Sequence, residues 1–265
     1  MKIYKIAFKY GKDPRLILNK LNGQTFTFFD TETTGLEHTI DQITEIAAIT
    51  VGGEDLAESS RFHRKIALNQ NTLDKIQNQV GSDKPYTIEK NLNRSKYYGL
   101  DMPAYEEQEV LGEFKKYVES QGSYLVAHFA NFDMKMVGSR VGPMNTRGVW
   151  DTMYFARMYY IPALIVMAKN GDEKAEKAVK AMSNAKGKPS SALGSVAQSL
   201  GLPTGGWHRA MEDVQTTIGV FRGMTSYIND NAELFDTKEY DEEYRKQRQK
   251  QEWYKELDKQ KKKSK

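Results

Sequence analysis

The 265-residue sequence contains no cysteine. That absence excludes disulfides, zinc–thiolate sites and cysteine nucleophiles, and it agrees with a cytoplasmic location. No apolar run approaches the roughly 20 residues that span a bilayer, so no membrane partner is expected. Met1–Lys12 is basic but holds no long apolar stretch followed by a small-residue cleavage site, so it does not read as a secretory signal. No internal repeat is visible. Neither charge sign dominates: 39 Lys and Arg against 35 Asp and Glu give a formal net charge of +4 and a pI of about 8.9. That mild excess permits nucleic-acid binding without requiring it.

What is present is a core and a pair of acids. Apolar residues make up 39% of the chain and charged residues 28%, which suits a globular protein with some exposed, highly charged segments. Phe26–Phe29 is an aromatic, β-branched run that leads directly into Asp30-Thr31-Glu32. A strand turns alternate side chains to one face, so Asp30 and Glu32 point the same way. Two carboxylates so placed repel each other unless a proton or a cation lies between them. Oxygen-only ligands select a hard cation such as Mg²⁺ or Mn²⁺.

The rest of the chain alternates strand and helix signals. Strands are expected at 26–29, 43–51, 60–66, 124–127 and 149–150. Helices are expected at 105–120, 131–140, 153–160, 163–185, 193–200 and 209–228. Strands first, then helix and strand in alternation, imply an α/β fold: a mixed five-stranded sheet flanked by helices on both faces. Residues 67–104 are too long to be wholly irregular. The expected organisation is a basic N-terminal leader over 1–24, a catalytic domain over 25–232 with insertions at about 67–104 and 161–189, and a charged tail over 233–265. From Asp236 onward aliphatic residues nearly vanish, which reads as an exposed appendage, helical or disordered.

A site that cleaves phosphodiesters with two metal ions needs about four carboxylates and a base that takes a proton near neutral pH. Asp133 follows the buried strand 124–127, where open α/β sheets place their sites. Asp213 opens the helix 209–228, and His208 stands five residues before it, just past Thr204-Gly205-Gly206.

In order and spacing, Asp30-Thr-Glu32, Phe132-Asp133 and His208-x-x-x-x-Asp213 resemble the three motifs of the DEDDh (DnaQ-like) 3′→5′ exonucleases. Asp-Thr-Glu-Thr-Thr-Gly-Leu at 30–36 and Trp150-Asp-Thr-Met at 150–153 add to the match, which covers about residues 25–228 in pieces. The resemblance implies a ribonuclease H-like fold and removal of nucleoside 5′-monophosphates from the 3′ end of single-stranded DNA, with RNA the second choice. It implies that Asp30, Glu32, Asp133 and Asp213 hold two Mg²⁺ ions, replaceable by Mn²⁺, and that His208 activates water. It sets Thr33, Thr34, Gly35, Leu36, His128 and Phe129 against the substrate, Leu36 as an apolar contact to the terminal base. A polymerase or another replication or repair partner is the alternative context. The family's second motif carries Asn where this chain has Phe129, which alters how the strand is held; a base stacked on Phe129 would contribute about 1–3 kcal/mol.

Each residue also has a plainer reading. Asp133 suits a helix N-cap, Asp213 a pair with Arg209, and His208 a solvated loop. Glu45 faces either the site or solvent, Asp151 reads as a cap, and Glu212 points away from Asp213. Arg94, Lys96 and Tyr97-Tyr98-Gly99 suit either a single-strand groove or a packed loop.

Overall fold

The structure is a computed structural model that describes residues 11–52, 55–79, 104–204 and 209–263. By its internal contacts the chain forms two compact units. Among the described residues, one comprises those within 22–152 and 209–218, the other 11–21, 153–204 and 219–263.

The first unit is built on a mixed sheet. Strands β1 (Phe26–Thr33), β2 (Ile43–Gly52) and β3 (Ala57–Ile66) form the expected antiparallel meander. Strand β5 (Tyr124–Ala127) lies parallel to β1, and β6 (Gly148–Asp151) parallel to β5. A sixth strand, β4 (Ala104–Tyr105), pairs with Lys65 and Ile66, so the order is β4-β3-β2-β1-β5-β6. Five strands were expected; a two-residue strand has no alternation to read, and Tyr105 lies in it rather than in the following helix. Helix α2 (Gln70–Gln79) supplies structure within the long polar stretch, most of the rest of which lies outside the described residues.

Helices α3 (Glu107–Gln121) and α4 (Ala130–Val141) cover one face of the sheet. Val110, Leu111, Phe114 and Val118 recur at helical spacing, and all are buried against Phe29, Ile46, Phe62 and Leu125. The Phe114 ring sits 5.7 Å from Phe29 and 5.6 Å from Phe62. The Phe29 contact turns the odd-numbered face of β1 toward α3. Asp30 and Glu32 therefore face the other way.

The second unit is helical. It includes α1 (Arg15–Leu21), the continuous run of α5 (Thr152–Phe155), a π-helical turn (Ala156–Tyr160) and α6 (Ile161–Lys169), then α7 (Glu173–Ala181) and α8 (Leu193–Ser199). The single helix expected over 163–185 is two. Gly171 takes a positive φ of 86°, and Asp172 starts α7 by accepting the Ala175 N–H at 2.7 Å. Helix α9 (Ala210–Asp230) is followed by a 3₁₀ turn (Ala232–Asp236) and α10 (Lys238–Lys263).

Composition marks 236–265 as exposed, yet Tyr240 is fully buried and Tyr244 nearly so. Their hydroxyls donate to the carbonyls of Lys12 and Gly11, and Tyr159 donates to Gly11 as well. Arg15 forks onto Asp236 at 2.7 and 2.9 Å and also binds Asp13. The tyrosines carry the apolar surface that the segment's missing aliphatics do not supply. Tyr240→Ala is expected to cost about 3–5 kcal/mol in a denaturant melt, the range for emptying a buried aromatic site. A loss under about 1 kcal/mol would show that α10 is a dispensable appendage.

Candidate active site

Strand β1 is buried at every position up to Phe29, then opens at Asp30 and Glu32. The register with β2 slips between Glu32 and Thr33, one residue before β1 ends, so the pairing is broken directly after the second carboxylate. Asp213, in the first turn of α9, meets them: one carboxylate oxygen each from Asp30, Glu32 and Asp213 lie within 4.8 Å of one another. All three residues are half-buried.

Asp133 joins from the helix that follows β5. Strand β5 pairs with β1 only as far as Phe28, so Thr31 lies beyond it. The Thr31 hydroxyl and N–H donate to Asp133 Oδ1 at 2.7 and 3.2 Å. Asp133 sits in the first turn of α4, whose N-cap is Phe129, and it is 2% exposed. It is therefore not the helix cap. Thr31, the residue between the two β1 acids, fixes it in place.

Such crowding raises the carboxyl pKa values. Burial pushes Asp30 well above the usual range, and Asp133, Glu32, Asp213 and Glu45 push it further in that order. Burial takes Asp133 up to about 7, against the lowering by Thr31, and Asp151 adds to the rise. An all-oxygen donor set that is costly to leave ionised and unneutralised fits hard divalent cations.

Glu45 is Cα partner to Glu32 and shares its face. It is buried, with His63 Nε2 2.7 Å from its Oε1. The structure thus places Glu45 toward the site. Asp151 Oδ1 accepts the Phe129 N–H at 3.2 Å. Arg209 pairs with Glu212 at 3.2 Å. His208, like Gly205 and Gly206, lies outside the described residues, as do Arg94, Lys96 and Tyr97-Tyr98-Gly99.

The expected substrate contacts fall into two groups. Leu36 is 78% exposed on the β1–β2 loop. Thr34 is buried, and its hydroxyl accepts the Gln42 N–H at 2.9 Å, so its side chain holds the loop. The Thr33 hydroxyl donates to the Gly35 carbonyl at 2.7 Å. A Cβ at Gly35 would come within 2.4 Å of Asp41 Oδ2, so only glycine fits. At the second motif, His128 Nδ1 lies 2.9 Å from the Thr152 hydroxyl. Phe129 has φ 77° and ψ 44°, the left-handed region that a bulky residue rarely adopts. The residue is 47% exposed, and its ring is parallel to that of Phe132, with centroids 6.4 Å apart and an angle of 4°.

Thr31, Asp41 and His63 carry no signal in the sequence that marks them as site elements, whereas Glu45, open there between the site and solvent, faces the site. Thr31 stands inside the first motif, and it is the cross-strand register that decides between the two readings of Glu45. Nothing local to Asp41 announces its packing under Gly35.

A mixed α/β sheet of this order, with acids gathered at the end of its central strand, defines the ribonuclease H-like class. The chain belongs to the RNase_T exonuclease family, DnaQ-like members of that class; the family match runs over residues 27–221. It is by that membership a nuclease. DNA polymerase III PolC-type of Staphylococcus haemolyticus (strain JCSC1435) is 34% identical over 146 residues, covering 52% of this chain and 9% of the polymerase. The Staphylococcus aureus PolC-type polymerase is 32% identical over the same length. E. coli exonuclease I in complex with a dA16 oligonucleotide superposes with a TM-score of 0.51 at 17% identity, over 80% of this chain and 42% of that one. The complex with a dT13 oligonucleotide gives 0.53 at 16%, over 80% and 43%. The chain thus spans about a tenth of the polymerases and less than half of exonuclease I.

Proposed function

We propose that this chain is a 3′→5′ exonuclease of the DEDDh type that hydrolyses single-stranded DNA to nucleoside 5′-monophosphates. The observation that carries the reading is the convergence of Asp30, Glu32 and Asp213 within 4.8 Å, with Asp133 pinned beside them by Thr31. In this reading those four carboxylates hold two Mg²⁺ ions, with Mn²⁺ as a substitute. Bound there, the cations would supply Lewis-acid stabilisation to the attacking and leaving oxygens of the phosphodiester.

The protein's own groups divide the remaining work. The β1 strand fixes Asp30 and Glu32 on one face, and Thr31 orients Asp133 without occupying that face. His208, five residues before Asp213 in the sequence, accepts the proton of the attacking water. Leu36 packs on the terminal base. The exposed Phe129 ring, backed by Phe132, offers a second base a stacking surface. DNA is preferred over RNA because the similar exonuclease I structures hold dA16 and dT13 and the sequence relatives are DNA polymerases. Those polymerases also favour a second reading, in which the chain acts as a proofreading module beside a polymerase partner.

The test is digestion of DNA and RNA oligomers, labelled at the 5′ or the 3′ end, in Mg²⁺ with and without chelator. A chelator-sensitive ladder from the 5′-labelled DNA and release of mononucleotide from the 3′-labelled DNA are expected. Shortening from the 5′ end, or hydrolysis indifferent to chelator, would overturn the assignment. Faster digestion of RNA would move the chain to the exoribonucleases.

A further inference from the structure

The β1–β2 loop carries the most exposed large apolar side chain among the described residues, Leu36, immediately after the Asp30/Glu32 pair. An exposed loop that grips a substrate needs an external brace, and one arginine supplies it. Arg140, in the last turn of α4, donates through Nη1 to the His38 carbonyl at 2.8 Å and through Nη2 to the Asp41 carbonyl. Its Nε donates to Glu107 Oε1 at 2.7 Å, and that same oxygen accepts the Ile43 N–H at 3.1 Å. Ser139, beside it on α4, also donates to the His38 carbonyl at 3.0 Å. The loop is thus tied to α3 and α4 at His38, Asp41 and Ile43.

From these ties the brace reaches the substrate end. Asp41 Oδ2 accepts the Glu37 N–H at 2.8 Å, and the Asp41 carboxylate fills the space beneath Gly35. Helix α4 is the helix that carries Asp133. Arg140 therefore connects the segment 33–36 to an acid of the site through one rigid element.

We propose that Arg140 is a positioning residue that holds the 34–42 loop in register with the carboxylates, so that a nucleic-acid 3′ end is gripped where its phosphodiester meets them. This rests on the exonuclease reading above. The guanidinium suits the task because its planar fork reaches Glu107 and the His38 and Asp41 carbonyls at once in fixed directions, which an ammonium cannot do. Arg140 and Glu107 are both mostly buried, so their charges are compensated by each other and by the loop carbonyls.

The test compares two substrates that use the site differently. A single-stranded DNA oligomer needs the loop; bis(p-nitrophenyl) phosphate, which has no base, needs only the carboxylates and metal. Arg140→Ala is expected to raise KM for the oligomer by about ten- to a hundred-fold, the cost of misplacing a bound group by about an ångström. Its kcat and the rate on bis(p-nitrophenyl) phosphate should change by less than about three-fold. Hydrogen exchange at the amides of 34–42 should quicken. Arg140→Lys keeps the charge and should recover part of KM, which guards against a variant that folds poorly. Equal losses on both substrates, or an unchanged oligomer KM, would overturn the proposal. Oligomer affinity in Ca²⁺, read by fluorescence anisotropy, separates the two readings: if the wild type hydrolyses neither substrate the exonuclease reading fails, and Arg140→Ala must still weaken binding for the clamp to stand.

Discussion

Replacing Asp30 with asparagine is expected to abolish hydrolysis, with kcat/KM falling by roughly 10³-fold or more, while the metal-free protein becomes more stable. The two effects have one cause. Asp30 is the carboxylate on which burial and the charges of Asp133, Glu32, Asp213 and Glu45 all converge. In the absence of cation, each added negative charge there is unfavourable, so the isosteric amide relieves repulsion. With cation, the same charge is what binds it, and several kcal/mol of transition-state stabilisation are lost with it. Thermal melts in EDTA and in Mg²⁺ give the paired readout. The wild type should gain stability with Mg²⁺ by mass action, and Asp30→Asn should gain much less. Retention of full activity by Asp30→Asn would refute the site, whatever the melts show.

The second large effect is on the pH dependence of the metal-free protein. Burial lifts the Asp133 carboxyl to about 7, from an ordinary value near 3.9 in the unfolded chain. The folded state therefore binds the proton more tightly, and between those two values it holds more protons than the unfolded state. Stability then falls as pH rises through that window, and the penalty is complete above pH 7. A shift of this size is on the order of 4 kcal/mol, and Asp30 adds in the same direction. Denaturant melts in EDTA at pH 5 and pH 8 should show the wild type losing about 2–3 kcal/mol more than Asp133→Asn does across that step, the rest of the penalty falling below pH 5. Mg²⁺ should flatten the wild-type slope, because the cation takes the place of the protons. A wild-type slope equal to that of Asp133→Asn would mean that Asp133 is ionised and satisfied without metal.

Thr31 shows why the site tolerates this cost. Its hydroxyl and N–H lower the Asp133 carboxyl while burial raises it. The net effect leaves Asp133 oriented but poorly charged until a cation arrives. Glu45 contributes in a comparable way from β2, where His63 holds it 2.7 Å away on the face of Glu32. Neither Thr31 nor Glu45 has to touch a metal to shape the field that binds one.

Much of this was legible in the chain. The aromatic run ending in Asp30-Thr-Glu32 gave the strand, its face and the demand for a cation, because strand alternation has period 2 and needs no tertiary information. Helical spacing at Val110, Leu111, Phe114 and Val118 located α3. Asp133 and Asp213 could be placed at the openings of helices. The limits were equally physical. Strand β4 is two residues long and has no pattern of its own. Helices α6 and α7 read as one because strong helix formers on both sides outweigh the Asn170-Gly171-Asp172 turn signal between them. Tyr240 and Tyr244 read as surface because composition averages over α10, while burial is decided residue by residue.

The sequence by itself determined the chemistry on offer: which side chains are acidic, which share a face of β1, and that a hard cation suits them. The tertiary structure decided how those groups are held. The 4.8 Å gathering of Asp30, Glu32 and Asp213 joins residues more than 180 positions apart. The Thr31–Asp133 contact exists because β5 pairs with β1 only up to Phe28. The Arg140 brace joins the turn after β1 to the end of α4. Local pattern fixes which way a side chain points along its own element. Only the closure of distant elements fixes what it meets there, because that contact is set by packing and register rather than by neighbours in sequence.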